Sequence, residues 1–337
     1  MITLNGHVAL IQPRVGIGDM VWHLPTLRAL AQHAIGPVTL IARPRSHADQ
    51  LLGIEDGIDD VFWLERDQWE PDGRHQGMRG MARLVADLRG RQFDTAVLLT
   101  RSRNLAFAAA AAGIPARFGY GIGLQRLLLR PPALPMPHRT RHPFDQAVAW
   151  MAEAGLPLEI IEPRITVKPS ALASARKRLD LNTGPVIALG IAASDSWKCW
   201  SPTHFAGLAT ALLYQGWPAL VLLGGANDRA ATGAIVAELS PADAARVIPV
   251  LGWHLGEVAA MLQDAAFYVG NDTAVLNIAA AVGTRAYGLF GATPALHHSH
   301  NIITIVPPGG PNQTDGMLRI TVRAVLEAIA AERPMRP

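Results

Sequence analysis

Short apolar runs rich in β-branched residues alternate with longer stretches of helical periodicity along this chain, and the alternation occurs twice. Short, wholly apolar runs between turn signals are buried on both faces, the situation of parallel strands covered by helices. In the first half, His7–Gln12, Val38–Ala42, Val61–Leu64 and Thr95–Thr100 read as strands, separated by helical segments such as Pro25–His33 and Gly80–Arg89. From Ile122 to Pro143 the chain turns rich in Pro and Arg and reads as an ordered loop. A second alternation follows Asn182-Thr183-Gly184-Pro185. Its strands are Val186–Gly190, Ala219–Leu223, Val247–Leu251, Phe267–Val269, Ala286–Phe290 and Ile302–Val306. Its helices open near Pro202, Asp228, Leu255, Thr273 and Thr293, and Ile320–Ala331 has the spacing of a closing helix. The expected fold class is α/β, with two Rossmann-like, doubly wound domains facing a cleft that holds the ligand. They are expected at residues 1–170 and 171–317, followed by a closing helix within 318–337.

With 337 residues, half of them hydrophobic, the chain is long enough to build two such cores. Its 31 Gly and 25 Pro are too few for a disordered or collagen-like polymer. Thirty Lys and Arg against 27 Asp and Glu leave a net charge of +3, which permits an anionic partner without demanding one. No basic run is interleaved with aromatics, so nucleic acid is not an expected partner. Cys199 is the sole cysteine, which excludes an internal disulfide and any Cys-rich metal site. Residues Met1 to His7 lack the pattern of a signal peptide, and no apolar run reaches the ~18 residues of a spanning helix. A cytoplasmic protein is expected, with peripheral contact at the inner membrane compatible with its charge.

Three segments carry chemistry. Gly16-Ile17-Gly18-Asp19 follows the first strand, where two glycines allow a tight turn and the carboxylate either projects into the cleft or caps a helix. The spacing is not Gly-x-Gly-x-x-Gly, since Val21 stands where the third glycine would be, so no standard dinucleotide fingerprint is present. Ser194-Asp195-Ser196-Trp197-Lys198-Cys199-Trp200-Ser201-Pro202 lies between a strand and a helix opened by Pro. A hydroxyl, a lysine and a helix N-terminus converging there suit a phosphate; a solvated lysine is the plainer reading. Gly270-Asn271-Asp272-Thr273 ends a strand and opens a small-residue helix, whose amides and Thr hydroxyl suit a diphosphate, with simple capping as the alternative.

Together these segments resemble the heptosyltransferase family, glycosyltransferase family nine, whose members build the inner core of lipopolysaccharide. The Gly-Asp turn is matched by Gly18-Asp19, and the Lys-x-Trp-Pro-like stretch by Lys198-Cys199-Trp200-Ser201-Pro202. The Gly-x-Asp-Thr-Gly-x-x-His-x-Ala-Ala signature is matched by Gly270, Asp272, Thr273, Ala279 and Ala280, and Leu-Phe-Gly-x-Thr by Leu289-Phe290-Gly291-Ala292-Thr293. The chain departs from the signature at Ala274, a Gly in the family, and at Asn277, a His in the family. Asparagine keeps hydrogen bonding but cannot be a cation, so a charge contact to the donor's phosphates would be lost.

The resemblance implies a GT-B fold, with an N-terminal acceptor domain and a C-terminal nucleotide-sugar domain. It implies Asp19 as general base on the Gly16–Gly18 turn. It implies Ser194, Lys198 and the Asp272-Thr273 helix start as holders of the diphosphate, with Asn277 beside them. Asp228 would contact the ribose and Trp253 the base. The donor implied is ADP-heptose and the acceptor a saccharide or glycolipid of the lipopolysaccharide core. Inverting transfer needs one base and one stabiliser of departing charge. No Asp-x-Asp motif is present, so neither a metal nor a cofactor is expected.

The rival readings are a GT-B-type nucleotide-sugar epimerase or hydrolase, which needs further cleft carboxylates, and a degenerate nucleotide-sugar-binding protein. His297-His298-Ser299-His300 reads as a cleft loop touching sugar or phosphate before it reads as a zinc site. The turn from Glu55 to Asp60 reads as solvated, and Phe144 and Trp150 as packing. Arg117, Arg126, Arg130, Arg139 and Arg141 either gather on the acceptor side or form a solvated basic face.

Overall fold

A computed structural model describes residues 2–53, 56–67, 71–179, 186–295 and 298–332. Glu55, Asn182-Thr183-Gly184-Pro185 and His297, noted above, lie outside the described residues. The chain divides into two compact units, Met1–Pro163 and Arg164–Pro337.

The first unit runs β1 (Leu4–Asn5), β2 (Val8–Gln12), α1 (Ile17–Gln32), β3 (Ala34–Ile35), β4 (Val38–Ala42), α2 (Ala48–Leu51) and β5 (Asp60–Trp63). It continues with α3 (Gly77–Gly90), β6 (Thr95–Leu98), α4 (Arg103–Ala111), β7 (Ala116–Gly119) and α5 (Pro143–Glu153). A five-stranded parallel sheet has the order β5-β4-β2-β6-β7, and β1 pairs with β3 apart from it. Strands β2, β4 and β6 are buried along their whole length, as their continuous apolar sequences require.

The second unit runs α6 (Pro169–Leu179), β8 (Ile187–Gly190), α7 (Pro202–Tyr214), β9 (Leu220–Gly224), α8 (Arg229–Ala237), α9 (Pro241–Ala244) and β10 (Val247–Leu251). Then follow α10 (Leu255–Asp264), β11 (Phe267–Asn271), α11 (Ala274–Ala281), β12 (Ala286–Leu289), β13 (Ile302–Ile305), α12 (Gly316–Arg319) and α13 (Val322–Glu332). Its parallel sheet has the order β10-β9-β8-β11-β12-β13, the doubly wound arrangement. Trp217, Phe267 and Tyr287 meet edge to face across its core. Among the described residues no helix is long and apolar enough to cross a membrane.

Several elements differ from the sequence reading. Helix α1 opens at Ile17, not at Pro25, and carries Pro25 inside it. Met20, Val21, Trp22 and Leu24 are all buried, so packing of that first half outweighs the hydrogen bond that Pro25 cannot donate. The Ile122–Pro143 segment contains two 3₁₀ turns, Gly123–Leu127 and Met136–His138. Arginines hold it in place: Arg117 donates to the Leu128 carbonyl, Arg126 to Gly121, Arg130 to Pro115 and Arg139 to Leu134. No helix opens at Thr293; residues 291–295 are bends and coil. The acidic turn is not simply solvated. Asp56 is buried, pairs with Arg28 at 2.5 Å and accepts from the Gly53 amide, while Asp59 accepts from Val38 N–H. Phe144 and Trp150 are core residues.

Strands β8 and β11 lie side by side with Gly190 opposite Gly270. A Cβ on either glycine would overlap the buried Tyr268 phenol, so both positions need a missing side chain for one ring to fit between them. Gly190→Ala should cost about 1–3 kcal/mol by forcing that ring aside. The same substitution should cost clearly less in a Tyr268→Leu background. Urea midpoints of the four proteins check this, and equal costs in both backgrounds would contradict it.

Candidate active site

In an open parallel sheet, ligands bind beyond the carboxyl ends of the strands where the strand order reverses. In the first unit that point lies between β2 and β6. The chain leaves β2 at Pro13, turns through Arg14 and Val15, and enters α1 with Gly16 as its N-cap. Gly18 and Asp19 therefore sit in the first helical turn, and Asp19 is not the cap. Its carboxylate occupies the helix end where the peptide dipoles favour negative charge.

Arg14 Nε donates to Asp19 Oδ1 at 2.5 Å, and the Arg14 amide donates to Gln12 Oε1 at 3.1 Å. A Cβ on Gly16 would lie 2.8 Å from Asp19 Oδ2, so the carboxylate folds close over a residue that has no side chain. Asp19 lines a pocket of about 290 Å³ together with Arg14, Arg43, Arg66, Thr100 and Ser102. These side chains come from the loops that follow β2, β4, β5 and β6. Burial lowers the Arg43 pKa, opposed by Asp67 at 3.6 Å, and the buried Arg43 Nε has no hydrogen-bond partner.

The sequence reading missed Arg14, Arg43 and Arg66; the signal available was their position just past strand ends. The five arginines it did single out do not line this pocket. Four of them hold the 117–139 segment together instead.

One turn along α1, His23 Nδ1 donates to the Asp19 carbonyl at 2.7 Å. Burial pulls the His23 pKa from 6.5 to about 4, partly offset by that bond, so the ring is neutral near pH 7. The unfolded chain takes up this proton first as pH falls. The His23 contribution to stability is therefore complete above pH 6.5 and lost progressively toward pH 4, at up to about 1.4 kcal/mol per pH unit. His23→Leu should flatten the decline of unfolding free energy between pH 6.5 and 4.5. Parallel declines in the two proteins would show that His23 does not set it.

In the second unit the strand order reverses between β8 and β11, and Asn271 bridges that point. Its side chain is fully buried. Its Oδ1 accepts from the Trp200 amide at 3.0 Å, and its Nδ2 donates to the carbonyls of Ile191 at 3.0 Å and Ala192 at 3.2 Å. Both ends of the loop carrying Ser194 and Lys198 are thus tied to the strand that leads into Asp272 and Thr273.

Within that loop, Ser194 donates to Asp195 at 2.7 Å and Lys198 Nζ lies 5.0 Å from the Trp197 ring centre. Trp200 is buried, donates its indole N–H to the Ile320 carbonyl and stacks on His204. It anchors the loop end. Ser201 caps α7 by accepting from the His204 amide.

Thr273 is the N-cap of α11 and makes no side-chain cap bond, while Asp272 Oδ2 accepts from Thr293 at 2.7 Å. The capping reading of the Asp-Thr pair is therefore not what the two side chains do, and the first amides of α11 carry no side-chain cap. Asn277, one turn along, is buried with no partner for its Oδ1. Asp228 accepts from the Gly225 amide at 2.7 Å and closes the turn after β9. The Gly252 amide donates to Gly224, tying that turn to the one carrying Trp253. One face of Trp253 is covered by the Arg178 guanidinium, 3.8 Å from the ring centre.

Of the residues singled out in the sequence, Gly16, Gly18 and Asp19 belong to the first unit. Ser194, Lys198, Asp228, Trp253, Asp272, Thr273 and Asn277 belong to the second, all but Asn277 on loops after β8, β9, β10 and β11. Among the described residues no three His, Cys, Asp or Glu side chains form a metal-ligand set. Removing the Asn271 side chain as Ala leaves three backbone groups without partners, an expected loss of about 2–4 kcal/mol. Chemical denaturation checks it, and a loss below 1 kcal/mol would mean that water or rearrangement replaces the bridge.

The profile of glycosyltransferase family 9 (heptosyltransferase) matches residues 81–305. Lipopolysaccharide heptosyltransferase 2 of Escherichia coli K12 is 26% identical over 240 residues, which span 66% of this chain and 68% of that protein. Among solved structures, a family 9 glycosyl transferase from Veillonella parvula superposes with a TM-score of 0.79 at 17% identity, covering 96% of both chains. E. coli ADP-heptose LPS heptosyltransferase II superposes at 0.74 and 22% identity, covering 96% of this chain and 98% of that one. These superpositions bear on the fold, which is GT-B. By the match over residues 81–305, the chain belongs to glycosyltransferase family 9, the heptosyltransferases, and is a glycosyltransferase.

Proposed function

We propose that this chain is an inverting, metal-independent heptosyltransferase that moves heptose from ADP-heptose onto a saccharide or glycolipid acceptor of the lipopolysaccharide core. The observation that carries the reading is the Asp19 carboxylate. It stands at the mouth of α1, held by Arg14, on the wall of a pocket formed by four strand ends. The names of the E. coli relatives supply the donor and acceptor classes.

The two tasks of the reaction divide between the two units. In the first, the acceptor hydroxyl enters the Asp19 pocket and its proton passes to the carboxylate as its oxygen bonds the anomeric carbon. The bond from that carbon to the diphosphate breaks, and the electron pair leaves with the diphosphate. In the second unit, Lys198 and the uncapped amides of α11 meet that charge. Thr273 adds a hydroxyl, and Ser194 a second. The carboxylate of Asp228 suits a ribose hydroxyl, the helix start at Asp272-Thr273 the diphosphate, and the face of Trp253 away from Arg178 the base. The buried Oδ1 of Asn277 suits a sugar hydroxyl, in keeping with the loss of a cationic side chain there. Arg14, Arg43 and Arg66 suit an acceptor bearing carboxylate or phosphate groups. Lysine and backbone amides take the part that a divalent ion plays elsewhere, with no cofactor, and the work is done in the cytoplasm.

A positioned base contributes about 10²–10⁴ in rate. Asp19→Asn should lower turnover of ADP-heptose with a lipopolysaccharide-core acceptor by that factor while leaving ADP affinity, measured by calorimetry, within twofold. Unchanged turnover would remove Asp19 as the base. Consumption of UDP- or GDP-sugars in place of ADP-heptose by the unaltered protein would overturn the donor. The anomeric configuration of the product by NMR, and turnover in excess chelator, test inversion and metal independence.

A further inference from the structure

From Thr95 to Phe144 the chain holds seven arginines and none of its 27 acidic residues. Within this stretch α4 packs against the 3₁₀ turn Gly123–Leu127. Gln125 fixes the contact, its buried side-chain amide donating to the carbonyls of Thr100 at 3.0 Å and Ser102 at 3.1 Å. Residues three apart on a 3₁₀ helix share a face. Leu124 and Leu127 therefore project together, away from Gln125, and are 60% and 81% exposed. On α4, Arg103 and Phe107 are one turn apart on the exposed side, and Phe107 is 56% exposed. Arg101 and Arg126 are exposed at the edges of the same pair of elements. Three large apolar side chains without cover, set among arginines and with no carboxylate in fifty residues of chain, are the composition of a surface that meets anionic lipid.

We propose that the α4 and Gly123–Leu127 face docks on a bilayer containing anionic phospholipid, with Phe107, Leu124 and Leu127 entering the headgroup boundary and the arginines meeting phosphates. Thr100, Ser102 and Leu105, which line the Asp19 pocket, immediately precede and begin α4, so this face adjoins that pocket in the same unit. The inference deepens the acceptor reading above in that a lipid-anchored saccharide would reach Asp19 from the docked surface. Docking itself needs no turnover.

The test is co-sedimentation of the full chain with vesicles of phosphatidylcholine alone and with 30 mol% phosphatidylglycerol. The expected result is at least tenfold stronger partitioning onto the anionic vesicles. Phe107→Ser/Leu124→Ser/Leu127→Ser and, separately, Arg101→Gln/Arg103→Gln should each lower it at least fivefold. ADP affinity and melting temperature, read alongside, should stay at the unaltered values and so report that the variants are folded. No partitioning of the unaltered protein, or a variant of either kind that partitions as strongly as the unaltered protein, would overturn the proposal. So would a concentration-dependent dimer abolished by the triple variant without any vesicle binding. If ADP-heptose proves not to be the donor while partitioning behaves as expected, the donor reading fails and the docking face stands.

Discussion

The buried side chain of Asn271 satisfies three backbone groups that have no strand partner, one from Trp200 and two from the chain leaving β8. Without it, both ends of the loop from Ile191 to Trp200 would lose their tie to β11, and the buried Trp200 amide and Ile191 carbonyl would be left unpaired. With it, both ends of the loop bearing Ser194 and Lys198 are joined to the turn bearing Asp272 and Thr273 at the reversal point of the sheet. Thr293 adds a further tie through Asp272, joining the segment after β12 to the same turn. The diphosphate seat proposed for these segments has to exist before its ligand arrives, since groups that must first be ordered spend binding energy on that ordering.

The first unit holds the Asp19 carboxylate with charge. An aspartate at a helix start is ordinary, but here the carboxylate folds over Gly16 and rests against Arg14. The helix behind it is rigid because its buried face, His23 included, is packed through Pro25. His23 stays neutral and spends its one N–H on the Asp19 carbonyl, which adds a second tie to the residue that presents the carboxylate. Precision at the side chain is thus inherited from burial several residues away.

Much of this was legible in the sequence. Continuous apolar runs marked β4 and β10 to the residue and most other strands to within one or two; β4 is buried along its whole length, which leaves no polar positions to confuse the period, while the edge strand β10 is apolar though only partly covered. The glycine turn and the Asp-Thr helix start were legible because small residues and capping residues there have few other uses. Helix α4, Ala-rich with little contrast between its faces, gave no such signal, and neither did α5, α6 or the short β7. Nor was the true start of α1 visible, since Pro25 suggests a first turn when read alone and only packing carries the helix past it. The arginines of the Asp19 pocket escaped for a different reason. Each is a lone residue after a different strand, and only the sheet brings them together. Asn271 stood within a recognised motif, yet its role depends on two carbonyls eighty residues earlier in the chain.

Hydrogen exchange of the intact chain, with and without saturating ADP, tests the central claim most directly. A seat organised by Asn271 predicts slowed amides across residues 191–201 and 271–277, with α3 and α13 unchanged. ADP that binds while leaving both segments at their free rates, and slows amides elsewhere, would mean the nucleotide is held by other parts of the protein.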